Sequence, residues 1–279
     1  MIKLVVDSTS EIEFSEAKEL GVELIPMKVR FDDEEYLVGV NLSVEEFYQK
    51  LAESKNLPKT TQINCEEYVE KIKPILDGGD QVLVMSLSSE LSGSFNSLKM
   101  ASEELNSPNL EIFDTLSVTF AYRALVFEAI KMIQGGISLN ELKNQLEKLK
   151  KKLRLYAIID NVKYLIKGGR LSLTQGIAAT ALNIKPIVTI KEGKVEVVNK
   201  AVGFSLALKT LCKLITNVDE TKELYYGHSN DRERAEKMYA IVKKQTGIEF
   251  KDVCNIGAVI GTHAGPGCVG VVFFESKSV

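Results

Sequence analysis

The sequence is poor in the residues that hold metals or oxidised cross-links, with four cysteines and two histidines among 279 residues. Cys65, Cys212, Cys254 and Cys268 are scattered, with no C-x-x-C pair and no histidine at ligand spacing. That pattern argues against zinc and for free thiols in a reducing, cytoplasmic setting. Long apolar runs are also missing, and none reaches the length that spans a bilayer. The opening MIKLVVDSTS passes from a short strand-like run straight into a polar turn, without the apolar region or cleavage site of a signal peptide. Charge is nearly balanced at a formal −3, which gives no electrostatic ground for binding nucleic acid or an anionic membrane surface. The G-x-x-x-x-G-K-[ST] loop, a G-x-G-x-x-G turn after the first strand and the G-x-S-x-G elbow are all lacking. What remains is an ordinary globular balance of 45% hydrophobic and 26% charged residues, long enough for one large domain or two ordinary ones.

The first 150 residues alternate strand-length apolar runs with amphipathic helices. Residues 2–6, 81–86 and 110–115 read as buried strands, and 22–31 as a strand that Pro26 places at an edge or bulge. Helices are expected over 15–21, closed by Gly21, from Ser43 with Glu46 at capping-box spacing, after Asn64, and from about Ser92 to Leu105. A further helix stops at Gly135-Gly136, and Ser138 with Glu141 opens the next, whose leucines 139, 142, 146, 149 and 153 form one stripe. The lysines of that helix lie largely off the stripe, as a solvated face. This rhythm predicts a parallel α/β sheet. The second half differs: a strand at 153–160, a helix broken near Gly168-Gly169, and a hairpin over 184–203 that turns at Glu192-Gly193. A strand at 223–229, a helix from Asp231 and two closing β runs around the loop GTHAGPG complete a mixed sheet. The predicted architecture is α/β with two domains, 1–152 and 153–279, and clefts between domains favour ligands.

Several polar clusters stand where elements end. SSELSGSFNS (88–97) sets five serines and Gly93 between a strand and a helix, and Asp7-Ser8-Thr9-Ser10 ends the first strand. Hydroxyls and free backbone N–H groups at such positions suit a carboxylate or phosphate, and capping is the competing use of each serine. Thr60 and Thr61 form a smaller hydroxyl cluster in LPKTTQIN. KGGRLS (167–172) puts Arg170 after two glycines, well suited to grip an oxyanion. GTHAGPG frames His263 with more glycine than a hairpin needs, whereas His228 reads as structural or exposed. The inventory fits a protein that grips an acid more than one that transforms it.

The same stretches carry a family resemblance. DSTSEI (7–12), PKTTQIN (58–64), SSELSGSFNS (88–97), YLIKGGRLS (164–172) and GTHAGPGCVG (261–270) occur in order over nearly the whole chain, and with them the sequence resembles the DegV family, the fatty-acid-binding subunits of bacterial fatty acid kinase. The resemblance implies a two-domain α/β fold with a long-chain fatty acid held between an N-terminal parallel-sheet domain and a C-terminal mixed-sheet domain. It implies no catalytic residue, metal or cofactor in this chain. The resemblance further implies that the carboxylate is presented to a separate ATP-dependent kinase subunit that makes an acyl phosphate, with transient membrane contact as a route for ligand exchange. Carried over by position, Thr61, Ser92, Gly93 and His263 bind the carboxylate, and Arg170 meets the head group or the partner. Ser8, Thr60, Ser94, Gly261 and Thr262 are secondary candidates, and GIAATALNI (176–184) lines the acyl tunnel. The chain departs from the family in having Thr61 where a serine is usual, Val118-Thr119-Phe120-Ala121 where glycines are favoured, and no arginine near residue 203.

Two other readings remain open from sequence. One is a stand-alone hydrolase or acyl-transfer enzyme in which Ser92 or Ser94 works with His263 and Asp7, which requires serine and histidine within hydrogen-bond reach. The other is a small-molecule sensor or structural protein whose hydroxyl clusters are only caps.

Overall fold

The computed structural model describes residues 1–171 and 183–276. The chain opens with β1 (Ile2–Asp7), α1 (Phe14–Leu20), β2 (Val22–Ile25), β3 (Lys28–Phe31), β4 (Glu34–Leu37), α2 (Val44–Glu53), β5 (Lys59–Thr61) and α3 (Cys65–Asp77). It continues with β6 (Gln81–Ser86), α4 (Ser94–Leu105), β7 (Leu110–Asp114), α5 (Thr119–Gln134) and α6 (Leu139–Lys150). Strands β2, β1, β6 and β7 lie in that order as an all-parallel sheet. Helices on both faces of such a sheet bury it, which is why β1 and β6 read as continuous apolar runs without alternation. The caps form as the sequence signals them: Ser43 with Glu46 and Asn64 with Glu67 make reciprocal capping boxes, and Gly21 ends α1 at φ 67°.

The stretch 22–31 is not one strand. Pro26 has no N–H to give a ladder, and the chain breaks there into β2 of the parallel sheet and β3 of a separate antiparallel sheet ordered β4-β3-β5. This small sheet carries Thr60 and Thr61.

After α6 the chain enters a second sheet at Leu153. Its elements are β8 (Leu153–Ile158), α7 (Lys163–Lys167), β9 (Ile184–Lys191), β10 (Lys194–Val202), α8 (Phe204–Leu214), β11 (Tyr225–His228), α9 (Arg232–Thr246), β12 (Asp252–Asn255), α10 (Ala258–Ala264) and β13 (Val269–Phe274). The six strands run β10-β9-β8-β13-β11-β12, antiparallel except for the β11–β12 pair. The expected hairpin is β9–β10, with Glu192 and Gly193 both at positive φ in its turn. The apolar stretch through residue 263 is not a strand: β12 stops at Asn255, and α10 carries His263. Short buried runs do not distinguish strand from helix by periodicity. The glycine at 261 lets α10 pack directly on α2, since a Cβ there would lie 2.7 Å from the Phe47 ring and the Tyr48 hydroxyl. Segment 176–184, expected to line an acyl tunnel, lies outside the described residues up to 182.

Helix α5 fits between the two sheets. It packs against β1 on one side and against β8, β11 and β13 on the other. Its side chains are accordingly buried on nearly every face, from Thr119 to Ile130, including Tyr122, Arg123 paired with Glu16, and Glu128 paired with Lys222. Gly227 of β11 makes this possible, because a Cβ there would come within 2.7 Å of the Phe120 ring.

Two hydrogen bonds pin the start of α10 to the first half. Tyr48 donates its hydroxyl to the Ile256 carbonyl at 2.9 Å, and Gly257 N–H donates to Glu11 Oε2 at 2.8 Å. Arg123 Nε and Asn255 Oδ1 are buried there without a partner. Burial pushes the Glu11 carboxyl up from 4.5 to about 8. Between those two values the folded protein keeps a proton that the unfolded chain has lost, so stability falls as pH rises through this window. The loss amounts to about 5 kcal/mol for a shift of this size. Glu11→Gln keeps an acceptor for Gly257 and removes the ionisation, so denaturant unfolding from pH 5 to 9 should show a flatter pH dependence for the variant. Parallel curves would refute a protonated Glu11.

Candidate ligand site between the two halves

Between the halves lies a cavity of about 150 Å³. Its walls are apolar, with Met27, Leu87 and Val118 from the first half facing Leu165, Val195 and Val259 from the second. One end is polar and gathers Thr60, Gln62, Ser92, Gly93, Arg170 and His263. A second opening of about 520 Å³ shares Thr60, Arg170 and His263 and adds Lys55, Lys59 and Lys167. The polar end therefore leads outward through a cationic vestibule.

The central contact crosses the halves: Thr60 Oγ1 on β5 lies 3.0 Å from His263 Nε2 on α10. The imidazole is pushed down from 6.5 to about 4, by burial first and then by the Arg170 charge, so it is neutral at pH 7. Its Nδ1 is buried without a partner. With no acceptor there, the proton belongs on Nε2, which donates to Thr60. Thr60 can then pass its own O–H to a ligand in the cavity. Gly168 shapes this arrangement, since a Cβ on it would lie 2.3 Å from His263 Nδ1.

The serine turn before α4 supplies the facing wall. Ser92 Oγ and Ser94 Oγ are 3.0 Å apart, and Ser94 also accepts from Ile63 N–H at 3.2 Å. Ser94 is thus fully buried scaffolding that ties the turn to the chain after β5, while Ser92 lines the cavity. Gly93 lets the Gln62 amide lie close against the turn, since a Cβ there would stand 2.0 Å from its Oε1 and the side chain would have to move aside. Arg170 holds the same turn from the second half: Nε and Nη2 donate to the Leu91 carbonyl at 3.1 and 3.0 Å, and Nη1 donates to the Gly168 carbonyl at 2.6 Å. No acidic side chain among the described residues pairs with it.

The structure separates the sequence-predicted residues into groups. Thr60, Ser92, Gly93, Arg170 and His263 meet at one end of the cavity. Thr61 does not line it. Adjacent residues of a strand face opposite ways, and Thr61 is exposed while Thr60 turns in to His263. Thr262 borders the vestibule with its hydroxyl bonded to the Ala258 carbonyl, and Gly261 serves the packing of α10 on α2. Ser8 accepts from Met27 N–H at 3.0 Å and belongs to a buried knot at the end of β1. In that knot Asp7 accepts from Thr9 and from Leu87 N–H, fastening β1 to the end of β6. Burial raises the Asp7 pKa, with these hydrogen bonds opposing it.

A serine–histidine–aspartate relay is not assembled. His263 is bonded to Thr60 rather than to Ser92 or Ser94, and Asp7 spends its oxygens on the knot. Sequence reasoning missed Gln62, although it sits two residues after Thr60 where alternation returns the chain to the same face. It also missed Val195, since nothing local shows that a hairpin strand will reach the other half.

Gly168→Ala should push the His263 ring from its place, breaking the Thr60 contact and returning the imidazole pKa from about 4 toward 6.5. The check is an NMR titration of the imidazole protons. An unchanged titration would show that Gly168 does not position the ring.

Comparison with known proteins places the chain among relatives of full length. A family model described as an uncharacterised protein of the DegV family matches residues 1–276. A DegV domain-containing protein of Caldanaerobacter subterraneus is 32% identical over 279 residues, covering 99% of each chain. Among solved structures, a fatty-acid-binding DegV family protein from Streptococcus agalactiae superposes with a TM-score of 0.89 at 26% identity, covering 99% of both chains. DegV from Bacillus subtilis, a fatty acid binding protein, gives 0.85 at 29% identity, covering 98% of this chain and 99% of that one.

Proposed function

The chain belongs to the DegV family, and from that premise and the cavity between its halves we propose that it is a non-catalytic carrier of a long-chain fatty acid. The supporting observation is the polarity of the cavity, which is apolar along its walls and rich in hydrogen-bond donors at one end. An alkyl chain gains about 0.8 kcal/mol for each CH₂ it buries, so apolar walls retain it. A carboxylate brought in without donors would cost more than several such groups return. Thr60 and Ser92 supply hydroxyl donors, and Arg170 supplies a half-buried positive charge with no acidic partner among the described residues. The neutral His263 orients the Thr60 hydroxyl without adding charge. The described residues enclose about 150 Å³, a space that suits the carboxyl group and the first methylenes of a chain. On this reading the domains 1–152 and 153–279 enclose the ligand from either side.

The vestibule extends the proposal to presentation. Lys55, Lys59, Lys167 and Arg170 stand around the polar end, where a carboxyl group converted to an acyl phosphate gains negative charge. Phosphoryl transfer also needs a nucleotide and a metal. We assign those to a separate ATP-dependent kinase subunit, with this chain in the cytoplasm and touching a membrane only to exchange ligand. Among the described residues no group of acidic, histidine or cysteine side chains could hold a metal ion, and no helix is long and apolar enough to cross a membrane.

Native mass spectrometry of the purified protein, followed by solvent extraction, is the direct test. A stoichiometric adduct with the mass of a fatty acid is expected; clean protein that takes up no added fatty acid would end the proposal. Thr60→Val should weaken fatty-acid binding about tenfold to a hundredfold, the loss of one buried hydrogen bond to a charged group, whereas Thr61→Val should change it less than about twofold. Titration calorimetry separates the two. Equal losses would place the carboxylate elsewhere on β5.

A further inference from the structure

We propose that the tip of the β9–β10 hairpin is a latch that closes the cavity from the second half and sets how long a ligand stays. This rests on the fatty-acid reading of the cavity. Strand β9 pairs in register with β8 only from Ile187 to Thr189. Beyond that point the hairpin is a two-stranded ribbon that leaves the six-stranded sheet and reaches the serine turn of the first half. Two-stranded ribbons are marginal by themselves, so the tip takes its position from what it docks on.

The docking contacts are specific. Ser88 is fully buried and donates its hydroxyl to the Gly193 carbonyl at 2.7 Å, across the two halves. Gly193, at φ 80°, has no room for a side chain, since a Cβ would lie 2.6 Å from Ser88 Oγ and 3.0 Å from the Leu116 side chain. Beside it, Lys194 pairs with Glu90 at 3.2 Å on the surface. The next residue, Val195, is buried and forms part of the cavity wall with Ser92 and Leu91. Lifting the tip therefore removes one wall of the cavity and exposes its apolar interior. The rest of the fold keeps its ladders, because β8 continues to pair with β13 over all six residues from Leu153 to Ile158.

Two variants test the latch. Ser88→Ala deletes the buried bond, and Lys194→Glu sets two like charges face to face at the surface. Binding of a naturally fluorescent polyene fatty acid to the unmodified protein is measured first; no binding would overturn the fatty-acid reading itself. Given binding, Ser88→Ala and Lys194→Glu should each speed dissociation into excess lipid vesicles, about fivefold for the buried bond. Hydrogen exchange supplies a readout that needs no ligand. Amides of residues 190–195 should exchange faster in Ser88→Ala while β8 and β13 stay protected. Dissociation and tip exchange at the unmodified rates in both variants would overturn the latch and leave the carrier reading standing.

Discussion

The arrangement depends on one helix having no solvent face. Helix α5 is buried between the parallel sheet and the mixed sheet, so each sheet covers one side of it and neither can be removed without exposing the other's core. A helix buried on nearly every side from Thr119 to Ile130 cannot be satisfied by a single sheet. The relative placement of the two halves is therefore an outcome of hydrophobic burial, and the cavity between them inherits fixed walls. Val118, the residue before α5, belongs to one of those walls.

On that frame the polar end of the cavity is built from groups that carry little charge. A neutral imidazole, two hydroxyls and a guanidinium tied to backbone carbonyls meet there. Such a site favours an anion by orienting dipoles and one cation, and it avoids the larger desolvation cost that a cluster of ionised groups would bear before any ligand arrives. The glycines at 93 and 168 serve this end indirectly. Each leaves space for a neighbouring side chain, Gln62 or His263, to sit against backbone.

Much of this was legible in the chain order of residues. The parallel sheet, the capped helices α2 and α3 and the hairpin turn at Glu192-Gly193 follow from local pattern, and the hydroxyl and glycine clusters pointed to Ser92, Gly93, Arg170 and His263, which line the cavity. Three things did not. Pro26 was legible as a break, yet no local signal says that the chain after it founds another sheet. The α10 helix is too short and too apolar for its period to show, and only its packing on Phe47 and Tyr48 explains Gly261. The choice between Thr60 and Thr61 turns on strand register, which is set by pairing with β3 at a distance in sequence. The buried hydroxyls of Ser8 and Ser94 resembled ligand groups because capping, scaffolding and binding use the same residue type in the same setting.

The mounting of Thr60 gives the molecule a graded rigidity. Its strand has three residues and belongs to a three-stranded sheet, outside both large sheets, and it borrows order from β3 and from the ring of His263. Proteins open first where few ladders and little burial hold a piece in place, long before global unfolding. The head end of the cavity is such a piece, whereas the wall at Leu87 and Val118, which flank the buried β6 and α5, is among the last to move. Local breathing can therefore uncover the polar end repeatedly while the core remains closed, which separates the lifetime of the fold from the lifetime of anything held within it.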